Sequence, residues 1–156
     1  MNIYVESKEG SQRLAQFLAS ELQPGDIIQL EGELGAGKTF FACALGEALG
    51  VEPQYMSSPT FTLIQQYEGS TYPIFHCDFY RVKNMDEMEE LGIYDWIGKD
   101  NIAILEWAGE YEEYLPDTFL RIEISRGTEE NSRVFRFLPN GQSWEERVGK
   151  WQSLSF

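Results

Sequence analysis

The segment from Gly32 to Thr39, called the glycine loop below, has residue types that can hold the phosphates of a nucleotide. It fully matches the P-loop pattern G-x-x-x-x-G-K-[ST]. Glycines let backbone N–H groups turn inward around phosphate oxygens, Lys38 offers a charge for the β- and γ-phosphates, and the Thr39 hydroxyl can ligate Mg²⁺. The candidate nucleotide-binding residues here are Gly32, Leu34, Gly35, Ala36, Gly37, Lys38, Thr39 and Phe40.

The sequence on either side of the glycine loop predicts the elements that must position it. Residues 26–31 are a short, mostly apolar strand candidate that ends directly before the loop. Apolar residues at helical spacing follow from Phe40 to Leu49, and Gly50 stands where a helix typically ends. A strand, a glycine loop and a helix in this order aim the helix N-terminus at the phosphates. This context favours nucleotide binding over a chance glycine-rich turn.

Two further strand candidates end in a carboxylate, at Asp78 and at Glu106. Mg²⁺ needs oxygen ligands beyond the loop, and an attacking water needs a group that orients it. The strand that ends at Glu106 is the more uniformly apolar, as in a central parallel strand. A helix cap or a salt bridge is the alternative role for either carboxylate. The candidate metal ligands are Thr39, Asp78 and Glu106.

Three other residues have both a functional and a structural interpretation. Thr60, in the segment 57–61, could belong to a switch that reaches the γ-phosphate or to an ordinary Ser/Pro loop. Trp107 could stack on a base or simply lie half-buried at the sheet end. His76 is the single histidine of the chain, and we expect it to be structural.

The net charge of the chain argues against direct binding to nucleic acid. Its 12 basic residues face 26 acidic ones, giving a net charge of −14. A protein that binds RNA or DNA by itself needs a basic footprint for the phosphates. Any role in a nucleic-acid process is therefore expected to run through another protein.

Length and composition predict one domain over residues 1–156 in the cytoplasm. The two cysteines give neither a disulfide framework nor a zinc pattern. We find no leader pattern and no apolar run that approaches the ~18 residues of a membrane span. We expect residues 139–156 to be a C-terminal extension that packs on the domain through a short helix.

The order of the elements predicts an α/β fold like that of P-loop NTPases. We expect a sheet with a parallel centre, antiparallel hairpin additions and helices on both faces. The hairpins are predicted at 61–78 and 119–137. Ser7 and Asn84 are the predicted N-caps of two further helices. In such a sheet, ligands bind at the carboxyl ends of the parallel strands.

Taken together, the motifs resemble those of the TsaE (YjeE) family. They are the glycine loop, residues 58–62, residues 76–81 and the pair Glu106-Trp107, in the order and spacing of that family. The resemblance covers roughly residues 3 to 138. It implies a bacterial ATPase that uses Mg²⁺ and ATP and is needed for the threonylcarbamoyl modification of the adenosine beside the anticodon in tRNA. TsaE-like proteins bind a TsaB–TsaD pair, so tRNA is reached only through these partners.

The resemblance also implies roles for individual residues. Lys38 and the backbone of 35–39 would hold the phosphates, with Thr39 and Asp78 on Mg²⁺. The implied catalytic residues are Glu106, Lys38, Thr60 and Asp78.

The resemblance implies roles for the remaining positions as well. Glu106 would polarise water or join the Mg²⁺ shell, and Thr60 would belong to the switch segment. Trp107 would lie near the nucleotide, and Arg133 aligns with an arginine that approaches it.

Two other functions remain open from the sequence. A small-molecule kinase would place an acceptor over the sheet ends, but no Arg-rich lid for two phosphate groups is present. A nucleotide-gated binding module would bind nucleotide tightly with negligible hydrolysis. No Asn-Lys-x-Asp segment of the kind that selects guanine is present either.

Overall fold

One seven-stranded sheet forms the centre of the computed structural model, which describes residues 1–56, 63–151 and 153–156. The strands in these ranges are β1 Asn2–Val5, β2 Ile27–Glu31, β3 Ile64–Glu68, β4 Pro73–Asp78, β5 Ile102–Glu106, β6 Phe119–Arg126 and β7 Arg133–Asn140. The α-helices are α1 Lys8–Glu21, α2 Lys38–Ala48, α3 Met85–Glu90 and α4 Gln142–Gly149. Short 3₁₀ turns cover Pro53–Tyr55, Ile93–Asp95 and Gly109–Tyr114. None of the helices in these ranges combines the length and apolar composition needed to span a membrane.

The sheet has a parallel centre and antiparallel edges, as predicted. Its strand order is β1-β7-β6-β2-β5-β4-β3. β6, β2, β5 and β4 are parallel to one another. The hairpins β3–β4 and β6–β7 add antiparallel strands, and β1 pairs antiparallel with β7. The carboxyl ends of β2, β4 and β5 therefore meet at one edge of the sheet.

Helices cover both faces of this sheet, and the alternation along β5 shows why. Ile102 and Ile104 belong to the apolar cluster that α1, α2 and α4 share. Ala103 and Leu105 belong to a second cluster, with Met88 of α3 on the opposite face. Because successive side chains of a strand point to opposite faces, a fully apolar strand must be covered on both.

The predicted caps fix the starts of α1 and α3. Ser7 Oγ accepts a hydrogen bond from the backbone N–H of Gly10 at 3.0 Å. Asn84 Oδ1 accepts one from the N–H of Glu87 at 3.0 Å. The Glu87 carboxylate in turn accepts from the N–H of Lys83 at 2.8 Å, one residue before the cap.

The C-terminal helix α4 packs on the sheet face that α1 and α2 cover. Its Trp144 is only 1% exposed and belongs to the same apolar cluster. Arg147 donates to both carboxylate oxygens of Asp26, at 2.9 and 2.7 Å. Beyond the helix, the Trp151 indole N–H donates to Glu21 at 3.1 Å. These contacts tie α4 to α1 and to the start of β2.

Replacing Trp144 with alanine is expected to reduce the free energy of unfolding by about 3–5 kcal/mol, because it leaves a large cavity in the core. Urea-induced unfolding measures this loss. Ser143→Ala, on the exposed side of the same helix, should stay within about 0.5 kcal/mol of the wild type. A loss below about 1 kcal/mol for Trp144→Ala would contradict the docking of α4.

Candidate functional site

The glycine loop connects the carboxyl end of β2 to the first turn of α2. Gly37 has a φ of 107° and is the N-terminal cap of α2. Gly32 has a φ of 151°, and a Cβ there would lie 2.3 Å from the carbonyl oxygen of Ile124 on β6. Since residues other than glycine rarely adopt positive φ, these two positions let the loop pass close to β6 and begin α2 in one tight turn.

Lys38 extends from the first turn of α2 under the loop and is only 4% exposed. Its ammonium donates to the carbonyl oxygens of Gly32 and Glu33, each at 2.7 Å. Burial lowers the pKa of Lys38, and nearby carboxylates, Glu106 foremost, oppose that shift. The ammonium is thus held by weak, neutral acceptors in a desolvated position. An incoming phosphate oxygen would be a stronger partner.

A cavity of about 360 Å³ lies over the loop, between the first turn of α2 and the ends of β4 and β5. Lys38, Thr39, Asp78 and Glu106 all line it. A larger cavity of about 700 Å³ lies beside β3, and none of the candidate residues lies among the described residues that line it. We place the functional site in the smaller cavity, because convergent polar and charged groups define a site better than volume does.

Thr39 and Glu106 are joined by a direct hydrogen bond. Thr39 Oγ1 donates to Glu106 Oε1 at 3.0 Å. The contact forms because β5 lies next to β2 in the sheet, so its last residue faces the start of α2. Glu106 is only 1% exposed. A buried carboxylate beside the loop hydroxyl can hold a metal ligand in place or orient a water.

Asp78 ends β4, in register with Glu106 on the neighbouring strand. One of its oxygens accepts the N–H of Tyr80 at 3.0 Å. Burial raises the pKa of Asp78, the bond to Tyr80 opposes the shift, and the nearby Glu106 charge adds to it. A cation between the two carboxylates would relieve this penalty.

The oxygen donors of the cavity fit Mg²⁺ that arrives with a nucleotide. They are the Thr39 hydroxyl and the carboxylates of Asp78 and Glu106. In the described part of the chain, no three His, Cys, Asp or Glu side chains converge into a complete metal cage. Mg²⁺ seldom uses such a cage, since it keeps several waters and takes phosphate oxygens as ligands.

Aromatic and apolar side chains form the rest of the cavity wall. The Trp107 and Tyr80 rings lie 5.0 Å apart between centroids, and Lys38 Nζ lies 4.2 Å from the Trp107 ring centre. Leu34 and Phe40 are exposed at the rim. These surfaces could pack against the non-phosphate part of a nucleotide, and the role of Trp107 there stays a prediction.

Arg133 lies on the outer side of the glycine loop. Its Nε donates to the carbonyl oxygen of Ala36 at 2.8 Å. Arg126, which faces Arg133 in the register of the β6–β7 hairpin, donates to the carbonyl oxygen of Gly35 at 3.4 Å. The two arginines brace the loop from behind, and Arg133 is not among the described residues that line the cavity. Its contact with a nucleotide stays a prediction.

The cavity thus brings together most of the residues predicted from sequence. Those in its wall are Leu34, Gly35, Gly37, Lys38, Thr39, Phe40, Asp78, Glu106 and Trp107. Gly32 and Ala36 shape the loop from behind the wall. Thr60 lies outside the described residues, so its predicted switch role stays a prediction.

His76 is the residue whose place in the site the sequence did not predict. It is fully buried on β4, and its Nε2 lies 2.5 Å from Glu106 Oε2. One signal was available. His76 and Asp78 are two residues apart on a strand, so they share a face, and a buried imidazole in an apolar strand needs a polar partner.

Comparison with known proteins places this architecture in one family. Residues 5–135 match the family described as "Threonylcarbamoyl adenosine biosynthesis protein TsaE". A Bacillus subtilis (strain 168) protein named "tRNA threonylcarbamoyladenosine biosynthesis protein TsaE" is 38% identical over 150 residues, covering 94% of this chain and 92% of its own. An Aquifex aeolicus (strain VF5) protein of the same name is 37% identical over 135 residues, covering 86% and 95%.

A solved structure shares the fold as well. The crystal structure of Bacillus subtilis YdiB superposes with a TM-score of 0.77 and 29% sequence identity, covering 96% of this chain and 92% of YdiB. The resemblance drawn from the motifs is thereby confirmed, as is the predicted α/β fold. The chain belongs to the TsaE family of threonylcarbamoyl adenosine biosynthesis proteins.

Proposed function

We propose that this chain binds Mg²⁺ and ATP at the glycine loop and hydrolyses the ATP, as an accessory component of tRNA threonylcarbamoyladenosine biosynthesis. The observation that carries the proposal is the bond from Thr39 to Glu106, beside Lys38, in the cavity over the loop. This bond joins the phosphate-binding motif to a carboxylate on a second strand. Hydrolysis requires a group that orients water, and a glycine loop alone does not supply one.

Binding in this cavity follows from the groups that face it. Lys38 would exchange the carbonyl oxygens of Gly32 and Glu33 for β- and γ-phosphate oxygens. The Thr39 hydroxyl and the Asp78 carboxylate would hold Mg²⁺, which neutralises charge that develops on the phosphates. The first N–H groups of α2 point toward the same anion.

For the chemical step, we propose that Glu106 orients the attacking water. It lies at the cavity wall with its carboxylate beside the loop hydroxyl. A carboxylate oxygen can accept a hydrogen bond from a water and hold it in line with the γ-phosphate. Trp107 and Tyr80 would cover the opposite wall and limit access of bulk water.

The acidity of the chain supports action through protein partners. With a net charge of −14, the surface repels the phosphates of tRNA and suits a basic surface on another protein. We propose a TsaB–TsaD-like pair as that partner, with tRNA bound by the pair and not by this chain.

The test is release of inorganic phosphate from Mg·ATP, measured for the chain alone and with a purified TsaB–TsaD pair. We expect a slow basal rate that rises with the pair, because the proposed function acts through that partner. The signal should vanish in Lys38→Ala, which controls for contaminating ATPases.

Other outcomes of the same assay would contradict the proposal. A rate of phosphate release that the TsaB–TsaD pair does not change would contradict the proposed partner. ADP formed only with an added metabolite would indicate a kinase. Tight nucleotide binding without phosphate release under any condition would indicate a nucleotide-gated binding module.

A further inference from the structure

His76 lies where it can control the orientation of Glu106. Its Nε2 is 2.5 Å from Glu106 Oε2, while Glu106 Oε1 accepts the bond from Thr39. The two oxygens of one carboxylate are thus held by two side chains from two other elements, β4 and α2. Neither oxygen can move without breaking one of these two contacts.

We propose that His76 is a positioning residue, which donates its Nε2–H to Glu106 and so holds the carboxylate toward Thr39 and the cavity. The part of this inference that concerns turnover rests on the proposed ATPase function. The part that concerns the hydrogen bond does not.

The surroundings of the imidazole identify the donor. His76 Nδ1 is buried and has no hydrogen-bond partner among the described residues. A hydrogen on Nδ1 would therefore be buried and unpaired, whereas a hydrogen on Nε2 points at a carboxylate oxygen. The arrangement favours a hydrogen on Nε2.

The effect of His76 on Glu106 follows from the flexibility of the glutamate side chain. Three torsions separate its backbone from its carboxylate, and a buried oxygen without a donor carries a desolvation penalty. Without His76, Oε2 would turn toward another donor, and the Lys38 ammonium is the nearby charge. Glu106 would then leave its place beside Thr39.

His76 itself is not among the described residues that line the cavity. Its loss should consequently alter turnover more than nucleotide binding. This split separates a positioning role from a general loss of structure, which would weaken binding as well.

Two variants test the kinetic consequence. His76→Leu removes the donor at similar volume, and His76→Gln keeps an N–H near the position of Nε2. We expect His76→Leu to lower kcat by about 10- to 100-fold, the usual range for a group that orients a reacting residue, with the Kd for ADP within about threefold of the wild type. His76→Gln should recover most of the lost rate.

A double-mutant cycle then asks whether His76 acts through Glu106. In a Glu106→Gln background, adding His76→Leu should cost less than about threefold more, because coupled residues are not additive. Wild-type kcat in His76→Leu, or a full additional loss in the double variant, would overturn the proposal.

The hydrogen itself can be observed without nucleotide or turnover. Because His76 is the only histidine, ¹⁵N-histidine labelling gives one pair of imidazole nitrogen signals, and their couplings to the ring C–H hydrogens distinguish Nδ1 from Nε2. We expect a hydrogen on Nε2 that exchanges slowly and shifts in Glu106→Gln. An Nε2 without hydrogen would overturn the inference, even if the wild type proves to have no ATPase activity. A failed ATPase assay with the expected Nε2 signal would instead count only against the proposed function.

Discussion

Replacing Lys38 with alanine is expected to weaken ATP binding by roughly 30-fold to several thousand-fold, because truncating one member of a desolvated charge pair costs about 2–5 kcal/mol. In the structure the ammonium is buried beside the cavity, donates to the carbonyl oxygens of Gly32 and Glu33 and lies over the Trp107 ring. A phosphate would convert these neutral contacts into charge-assisted ones. Isothermal titration calorimetry with ATP and Mg²⁺ measures the change.

The Lys38→Ala variant also separates an effect on ATP binding from an effect on folding. Removal of the lysine deletes two hydrogen bonds to the loop but also relieves the burial of a charge, and these effects oppose each other. We therefore expect an unfolding midpoint near that of the wild type. Lys150→Ala deletes the same charge at an exposed position and should leave ATP affinity unchanged. An affinity for ATP within threefold of the wild type in Lys38→Ala would refute the assignment of the site.

The glycine loop and its flanking elements could be predicted because their signals are local. Consecutive residues show both the need for glycine at Gly32 and Gly37 and the strand and helix on either side of them. Local caps were predictable for the same reason, and Ser7 and Asn84 both bond as expected. Such features need no knowledge of which strands are neighbours.

The sequence did not predict which strands lie next to each other in the sheet. Asp78 and Glu106 were both candidates for the second-strand carboxylate, since each ends a strand candidate, and only the more uniformly apolar run before Glu106 favoured it. The sheet order distinguishes them, because β5 lies directly beside β2 and β4 lies one strand farther away. Of these two carboxylates, Glu106 is therefore the one that accepts a hydrogen bond from Thr39 in the described part of the chain. The pairing of β6 with β2, which brings Arg126 and Arg133 behind the loop, was unpredictable for the same reason.

The role of His76 shows a second limit. Its partner Glu106 is thirty residues away, and only the register of β4 against β5 brings the two side chains together. A histidine in an apolar strand is usually a satisfied structural residue, so the sequence favoured that interpretation. The structure shows that His76 is buried as expected, but its Nε2 contacts the candidate catalytic carboxylate.

Replacing Glu106 with glutamine is expected to lower kcat for ATP hydrolysis by about 10²- to 10³-fold while the Kd for ATP stays within a few-fold of the wild type. The carboxylate accepts from Thr39 on one oxygen and from His76 on the other. A glutamine has one acceptor oxygen, so it loses both the charge and one of these bonds. Single-turnover hydrolysis and calorimetric titration, run on the same preparation, separate the two effects.

The variant Asp78→Asn is the informative comparison for Glu106→Gln. If Asp78 mainly holds Mg²⁺, its amide variant should need more Mg²⁺ for the half-maximal rate, and saturating Mg²⁺ should restore much of kcat. Excess Mg²⁺ should not rescue Glu106→Gln, because a water-orienting group acts on the reacting water rather than on metal affinity. Glu47→Gln, exposed on α2, should behave as the wild type. Wild-type turnover in Glu106→Gln would remove Glu106 from the chemical step and leave it as a structural partner of Thr39 and His76.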